Sequence, residues 1–249
     1  MNLSSITGFG FVLIFFILML VFFVLSRKDG GGTLRDIGAF SRISRAIGMA
    51  VEAGKRLHIS LGRGSIIGVQ AAPALVGLSV LERIARTASM SDRPMISTSG
   101  EGTLAILSQG AMKSAYRNLN ILSQYDPNYG RLSGLTPFAY ACGTIPVIYD
   151  EESSLNILLG HFGSEIALIA DASERSGGMT LAGSDSLPAQ AILYAAAHEP
   201  LIGEEVYAAS AYVQAGLMHT ASLRAQDALR WLFVAVLFLG ALLKLAGIV

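Results

Sequence analysis

Two apolar runs near the ends of the sequence constrain the fold most strongly. Phe9 to Leu25 is an unbroken apolar run of 17 residues, and Trp231 to Val249 is a second run of 19 that only Lys244 interrupts. At a rise of about 1.5 Å per residue, helices of these lengths approach the thickness of the hydrocarbon layer of a bilayer. Backbone groups at that depth must be hydrogen-bonded within the segment, so both runs are predicted to be membrane-spanning helices.

The cations beside these runs predict which side of the membrane holds the intervening domain. Residues 1–8 carry no charged side chain. Two cations directly follow the first run and two precede the second: Arg27, Lys28, Arg224 and Arg230. Since cytoplasmic flanks are enriched in Lys and Arg, residues 26–230 are expected in the cytoplasm and both termini outside. A signal peptide would carry its positive charge before the apolar run, so the first run is expected to remain as an anchor.

The sequence divides into four predicted segments. Residues 1–28 form the N-terminal anchor, and 29–56 form a glycine-rich joint followed by a basic amphipathic helix whose N-terminus is expected at Thr33 to Asp36. That helix is predicted to lie either on the lipid surface or on protein. Residues 57–218 form the domain, and 219–249 form one helix that continues into the second span.

Charge and cysteine content narrow the partners of the domain. Residues 26–58 hold seven Lys and Arg against three Asp and Glu, whereas residues 59–230 hold ten against fifteen. The basic part adjoins the first span, where anionic membrane lipid would attract it, and the acidic remainder argues against a nucleic-acid partner. Cys142 is the only cysteine, which excludes an intrachain disulfide, and its apolar surroundings predict a buried, inert thiol in a strand.

Strand and helix patterns alternate along the domain, which predicts an α/β fold with a mixed sheet. The predicted strands are 57–61, 95–99, 138–141, 145–149, 165–170 and 179–182. The predicted helices are a buried helix over the apolar residues 66–81 that runs to about residue 90, then 104–121, 189–197, 203–215 and a rod of about 30 residues from Thr220. Residues 125–134 are predicted to be a loop.

Several tracts of the domain resemble an uncharacterised family of bacterial membrane proteins, a domain of unknown function with no assigned activity. They are residues 91–94 (SDRP), 134–138 (GLTPF), 146–151 (PVIYDE), 163–172 (GSEIALIADA), 183–190 (GSDSLPAQ), 199–205 (EPLIGEE) and 219–227 (HTASLRAQD). The resemblance implies a membrane protein. Because the family has no known mechanism, the resemblance implies no catalytic or binding residue.

Three glycine-rich turns are the best candidates for a ligand site. They are residues 62–68, 100–103 and 183–186, each where a predicted strand gives way to a helix. Free N–H groups at a helix N-terminus bind anions, so a phosphorylated small molecule is the predicted ligand class. The first turn is the strongest candidate because Arg63 is cationic, and its predicted ligand residues are Gly62, Arg63, Gly64 and Ser65. Glu101 in the second turn would repel a phosphate, and Asp185 in the third is predicted to be a cap. Capping and tight turns are the simpler interpretation of all three turns.

No pattern in the sequence predicts a metal, a cofactor or a catalytic residue. No two of His58, His161, His198 and His219 are spaced as ligands on one helix face. The acidic run 150–152 is predicted to be a solvated turn at a strand end, although carboxylates there could bind a divalent cation. His198 is expected to have a structural role at a helix C-terminus.

Three functions remain open. The low charge content, 14 % of residues, favours a membrane-anchored scaffold protein that associates with copies of itself. The alternatives are a membrane-tethered binding or enzymatic domain for a phosphorylated small molecule, and an accessory subunit of a larger membrane complex.

Overall fold

A computed structural model describes residues 3–29, 34–68, 70–89, 91 and 93–246. It divides into two compact units, residues 36–215 and the combined segments 1–35 and 216–249. The helices within the described residues are α1 (Leu3–Asp29), α2 (Gly38–Glu52), α3 (Ala71–Ala88), α4 (Gly102–Asn118), α5 (Pro137–Asp150), α6 (Ile166–Arg175), α7 (Leu187–Ala196), α8 (Glu205–Tyr212) and α9 (Leu217–Leu245). The strands are β1 (Arg56–Gly62), β2 (Ile96–Ser99), β3 (Gly130–Leu132), β4 (Ser153–His161), β5 (Met179–Ser184) and β6 (Glu199–Leu201).

The two terminal helices, α1 and α9, form one unit. Both are long and apolar enough to cross a membrane, over Ser5–Arg27 and Leu217–Leu245. The rings of Phe11 and Phe233 lie 6.0 Å apart, and the guanidinium of Arg224 donates a 3.2 Å hydrogen bond to the Ser26 hydroxyl. The predicted rod is confirmed as the continuous helix α9, and the last residues of the predicted span lie outside the described residues.

The other unit is built on a six-stranded sheet in the order β3-β2-β1-β4-β5-β6. Every neighbouring pair of strands is parallel, so the predicted mixed sheet is wrong. Parallel neighbours need a crossover, and a helix supplies it between each pair of strands that follow one another in the chain. Helices α2, α3, α4 and α8 cover one face, and α5, α6 and α7 cover the other, so both faces of the sheet are buried.

Local propensity misassigned the middle of the domain. The strands predicted over 138–141 and 145–149 form the single helix α5, with Pro137 in its first turn and Pro146 inside it. The strand predicted over 165–170 is helix α6. These stretches carry aromatic or β-branched residues that favour strands, and tertiary packing overrides that preference.

Helix α2 packs on protein within its own unit. Its apolar face, including Phe40 and Ile43, is buried in the core cluster beside α3 and the sheet. The ring of Phe40 stacks on Tyr212 at 4.6 Å, and Arg42 forms an ion pair with Glu199 at the start of β6. The helix begins at Gly38, later than predicted, and Thr33 lies outside the described residues.

Candidate functional site

The strand order reverses between β1 and β4, the first and fourth strands of the domain. From these two central strands the chain proceeds outward to opposite edges of the sheet. In open α/β sheets, ligands bind in the crevice that such a reversal leaves beyond the carboxyl ends of the strands. The turns that follow β1 and β4 lie at the carboxyl ends of these strands, where the strand order predicts such a crevice, and the first turn contains the predicted ligand residues 62–65.

Gly62 brings the turn after β1 against the end of β4. Its φ of 72° favours glycine, and a Cβ there would lie 2.4 Å from the carbonyl oxygen of His161. That same carbonyl accepts a 2.9 Å hydrogen bond from the Arg63 N–H, and the Gly100 N–H donates to the Gly62 carbonyl at 2.8 Å. The ends of β1, β2 and β4 are therefore fixed to one another by backbone contacts.

Three consecutive backbone N–H groups follow in this turn. They belong to Gly64, Ser65 and Ile66, and no residue in the described part of the chain accepts a hydrogen bond from them. The Ser65 hydroxyl accepts from the Ile67 N–H at 3.2 Å, which shapes the turn ahead of α3. Successive free N–H groups before a helix form a concave donor site suited to an anion.

The charge of Arg63 is paired inside the protein. Its Nε donates to Glu165 at 2.8 Å, and the Gly163 N–H donates to the same carboxylate at 2.9 Å. Burial alone would raise the pKa of Glu165, but the hydrogen bonds from Gly163 and Arg63 outweigh it and leave that pKa below its usual value. Glu165 is thus ionised at neutral pH, and an anionic ligand would compete with it for Arg63.

His161 and Asp185 form a second polar pair at the carboxyl ends of the strands. The Nδ1 of His161 lies 2.8 Å from the Asp185 carboxylate, and both side chains are about one-fifth exposed. Among the residues that the structure places, none is hydrogen-bonded to the Nε2 of His161. A histidine held at one nitrogen by a carboxylate presents the other for proton transfer. Asp185 was predicted to cap a helix, and this is wrong because α7 has no side-chain cap.

Tyr140 supports the glycine turn from inside the domain. Its hydroxyl lies 2.5 Å from the Ser60 hydroxyl and accepts a 3.2 Å hydrogen bond from the Gly62 N–H. Burial raises the pKa of Tyr140, so the phenol stays protonated. Tyr140 comes from α5, which places this helix beneath the crevice.

The other candidates from the sequence lie outside the crevice or serve as caps. Glu101 accepts a 2.7 Å hydrogen bond from the Leu104 N–H and caps α4. Glu151 follows α5 rather than a strand, and it forms ion pairs with Arg56 and Arg131. No group of three metal-ligating side chains occurs within the described residues. Cys142 is exposed on a helix, so its prediction as a buried strand thiol is wrong.

The glycine turn follows a strand, as the sequence predicts, but the local pattern did not indicate the residues that the fold brings to this turn. These residues lie about 100 positions or more away in sequence: His161 ends β4, Glu165 follows that strand and Asp185 follows β5. The signal was the pair Gly160 and Gly163 shortly after the run 155–159, which is apolar except at Asn156; this pattern is typical of a buried strand that ends at a close approach.

The sheet order and the crevice define a doubly wound α/β domain, joined in this chain to two helices that are long and apolar enough to cross a membrane. No curated protein and no solved structure matches the chain. The chain belongs to the family DUF6754, a domain of unknown function whose profile matches residues 1–249. The predicted membership of an uncharacterised domain family is confirmed at that level.

Proposed function

We propose that this chain is a membrane-anchored protein whose α/β domain binds a phosphorylated small molecule in the crevice between β1 and β4. The observation that carries the proposal is the run of three unpartnered N–H groups at residues 64–66, beside the switch point of the sheet. Fold alone does not assign a ligand, whereas these donors and the side chains around them restrict its chemistry.

The surrounding charges specify how the ligand is held. In the proposed complex, the phosphate oxygens accept hydrogen bonds from the N–H groups of residues 64–66. The phosphate also displaces Glu165 as the partner of Arg63. The pair of His161 and Asp185 then faces a hydroxyl of the ligand: Nδ1 of His161 donates to the Asp185 carboxylate, and Nε2 is left to accept from the hydroxyl. Nucleotides and sugar phosphates combine both groups, so one of these is the expected ligand class.

Thermal stabilisation of the full-length protein in a mild uncharged detergent tests this proposal. A panel of nucleotides and sugar phosphates should contain at least one compound that raises the unfolding temperature saturably. Ser65→Glu places a negative charge at the phosphate position and should abolish the shift. The control Ser154→Glu lies at the amino end of β4, at the end of the strands opposite the glycine turn, and should keep it. A panel-wide absence of stabilisation, or an equal loss in both variants, would refute the proposal.

A second candidate function is a scaffold built by self-association. Several large apolar side chains are exposed on the turn after β1 and in the first turns of α5 and α7: Ile67 at 90 %, Leu187 at 77 % and Phe138 at 74 %. Exposed apolar side chains at one edge of a domain are typical of an interface between proteins. Native mass spectrometry of gently extracted protein tests this candidate, which requires a high-order homo-oligomer. A monomer contradicts it, and a stoichiometric foreign chain indicates an accessory subunit instead.

We also propose that α1 and α9 span the membrane with both termini outside and the domain in the cytoplasm. The support is the pair of long apolar helices and the excess of cations in residues 26–58. Cys142 is the only cysteine and is exposed, so it reports the side on which the domain lies. A membrane-impermeant maleimide should label intact cells only after Asn2→Cys is introduced. Labelling of Cys142 in intact cells would reverse the orientation.

A further inference from the structure

A cavity separate from the crevice lies within the α/β unit, between α2, α3 and the end of α8. Its volume is about 260 Å³. Phe40, Ile43, Ile47 and Ile84 form apolar walls, and Tyr212 stacks on Phe40 at one side. The cavity is therefore suited to hydrocarbon as well as to a polar group.

One cation, Arg83, lines this cavity without an acidic partner. Its Nε donates a 3.1 Å hydrogen bond to the carbonyl of Val213, which fixes the guanidinium, and it forms no ion pair with any residue that the structure describes. The neighbouring Glu82 pairs instead with Arg86. The lining of the cavity contains no acidic residue. A fixed guanidinium with unused donors is suited to bidentate binding of a phosphate group.

We propose that this cavity binds the headgroup of an anionic phospholipid, with the phosphate on Arg83 and the first part of the acyl chains against the walls from α2. Besides α3, the cavity is lined by the two segments of the domain that are closest in sequence to the apolar helices. Helix α2 follows α1 in the chain, and Gln214 lies three residues before α9 begins. The excess of cations in residues 26–58 adds attraction for anionic lipid over neutral lipid.

This inference depends on the membrane anchoring proposed above, but it does not depend on the ligand of the crevice. It differs from a general attraction to lipid because it predicts a single saturable site. It also predicts that charge and shape are both required, since the cavity offers one cation within apolar walls.

The test uses the full-length protein in uncharged detergent and the short-chain lipid dihexanoyl-phosphatidylglycerol as the probe. Dihexanoyl-phosphatidylcholine supplies the apolar part without net charge, and inorganic phosphate supplies the charge without the apolar part. Saturable binding, measured by native mass spectrometry and thermal shift, is expected for phosphatidylglycerol alone. Arg83→Gln should weaken it about tenfold or more, as the loss of charge-assisted hydrogen bonds implies.

A second variant fills the cavity without removing a charge. A Cβ at Gly48 meets no atom within 4 Å, so Gly48→Leu extends into the cavity and should abolish lipid binding. Gly110 on α4 is equally open, so Gly110→Leu is the matched control, and Arg86→Gln is the control for charge on α3. Both controls should bind like the wild type. Both substitutions of glycine favour helix, so folding is expected to persist.

Three results would overturn the proposal. These are unchanged lipid binding in both Arg83→Gln and Gly48→Leu, equal binding of phosphatidylcholine, and equal binding of inorganic phosphate. The last result would identify a site for free anions rather than for lipid. Ser65→Glu should leave lipid binding intact, so a failure of the crevice proposal is distinguishable from a failure of this one.

Discussion

The two faces of the central sheet are equally buried but chemically different. The face toward α3 and α8 is apolar along β1 and β4, where Leu57, Ile59, Leu155 and Ile157 belong to one core cluster. The face toward α5 and α6 carries His58, Ser60 and Asn156 at the alternate positions, also buried. An alternation of apolar and polar residues, which normally indicates a strand with one solvated face, here occurs in a strand with two buried faces.

The polar face is satisfied by a chain of hydrogen bonds across the sheet. His58 contacts Thr98 of β2 at 2.8 Å through Nε2 and Asn156 of β4 at 3.0 Å through Nδ1. The Asn156 amide donates to Ser173 at 2.7 Å, and Ser173 lies 2.6 Å from the Thr180 hydroxyl of β5. Buried polar groups that are all paired fix one arrangement of their elements, whereas apolar contacts alone tolerate several. The apolar face therefore contributes buried apolar surface, whereas the hydrogen bonds of the polar face fix the register of the strands.

The largest effect is expected on the apolar face. Ile157→Ala should lower the free energy of unfolding of the domain by about 4 kcal/mol, because it removes buried methyl groups and leaves a cavity. Hydrogen exchange of the amides of residues 153–161, measured across a urea titration of the full-length protein, gives this loss. A loss below that of the polar-face variants would contradict the assignment of burial to this face.

A somewhat smaller loss is expected on the polar face. Asn156→Ala should cost about 3 kcal/mol, since it leaves the His58 Nδ1 and the Ser173 hydroxyl without their partner. The same exchange experiment measures it. Ser154→Ala on the same strand is the control and should change stability by less than about 0.5 kcal/mol. Equal effects of the two substitutions would mean that the network adds nothing.

Acid should weaken the polar face selectively. Burial, opposed by the hydrogen bond to Asn156 and reinforced by the charge of Arg131, lowers the pKa of His58 from 6.5 to about 4. The unfolded chain therefore binds the proton first, and stability is lost as the pH falls from 6.5 toward 4. Between pH 7 and pH 5 the loss should be about 2 kcal/mol. The difference between the urea denaturation midpoints at pH 7 and at pH 5 measures this loss of stability.

The control for this pH dependence is His58→Gln. This variant should lose less stability than the wild type over the same interval, because the titrating group is gone. A wild-type pH profile retained in the variant would assign the dependence to another group.

The smallest effect is expected where the polar face meets the crevice. Tyr140→Phe removes the hydroxyl that Ser60 and the Gly62 N–H share, and should cost about 1 kcal/mol. It should also speed hydrogen exchange of the Gly62 amide, whereas the amides of β5 should be unaffected. Unchanged exchange at Gly62 would show that the glycine turn does not depend on this face.

Local sequence features explain which strands of the sheet could be predicted. Strands β1, β2 and β5 were predicted nearly at their observed positions, because each is a short β-rich segment between turns. Strand β4 was missed because the acidic run 150–152 and Ser153 indicated a turn, and Asn156 interrupts its apolar residues. Strand β6 was missed because it has three residues and contains Pro200.

Prediction of the crevice was limited by sequence distance rather than by local pattern. The glycines and Arg63 form a local signal that could be recognised in one segment. The pairing of Arg63 with Glu165 depends on the strand order, which brings residues 102 positions apart within 2.8 Å. Once β4 had been missed, no local pattern could have assigned this contact. The prediction of an anion site at this turn counted the charge of Arg63 as free, whereas Glu165 is its partner in the fold.

The outer strands of the sheet are short, and this affects how crowded copies of the protein can associate. Proteins anchored in a membrane meet one another in two dimensions, where the effective concentration of neighbours is high. A long, unpaired outer strand would allow sheets of adjacent molecules to join into polymers. Strands β3 and β6 have three residues each, and Pro200 removes one backbone donor from β6. Dense packing in a bilayer would therefore not lead to fibre growth through the backbone, and neighbours would recognise one another only through side chains.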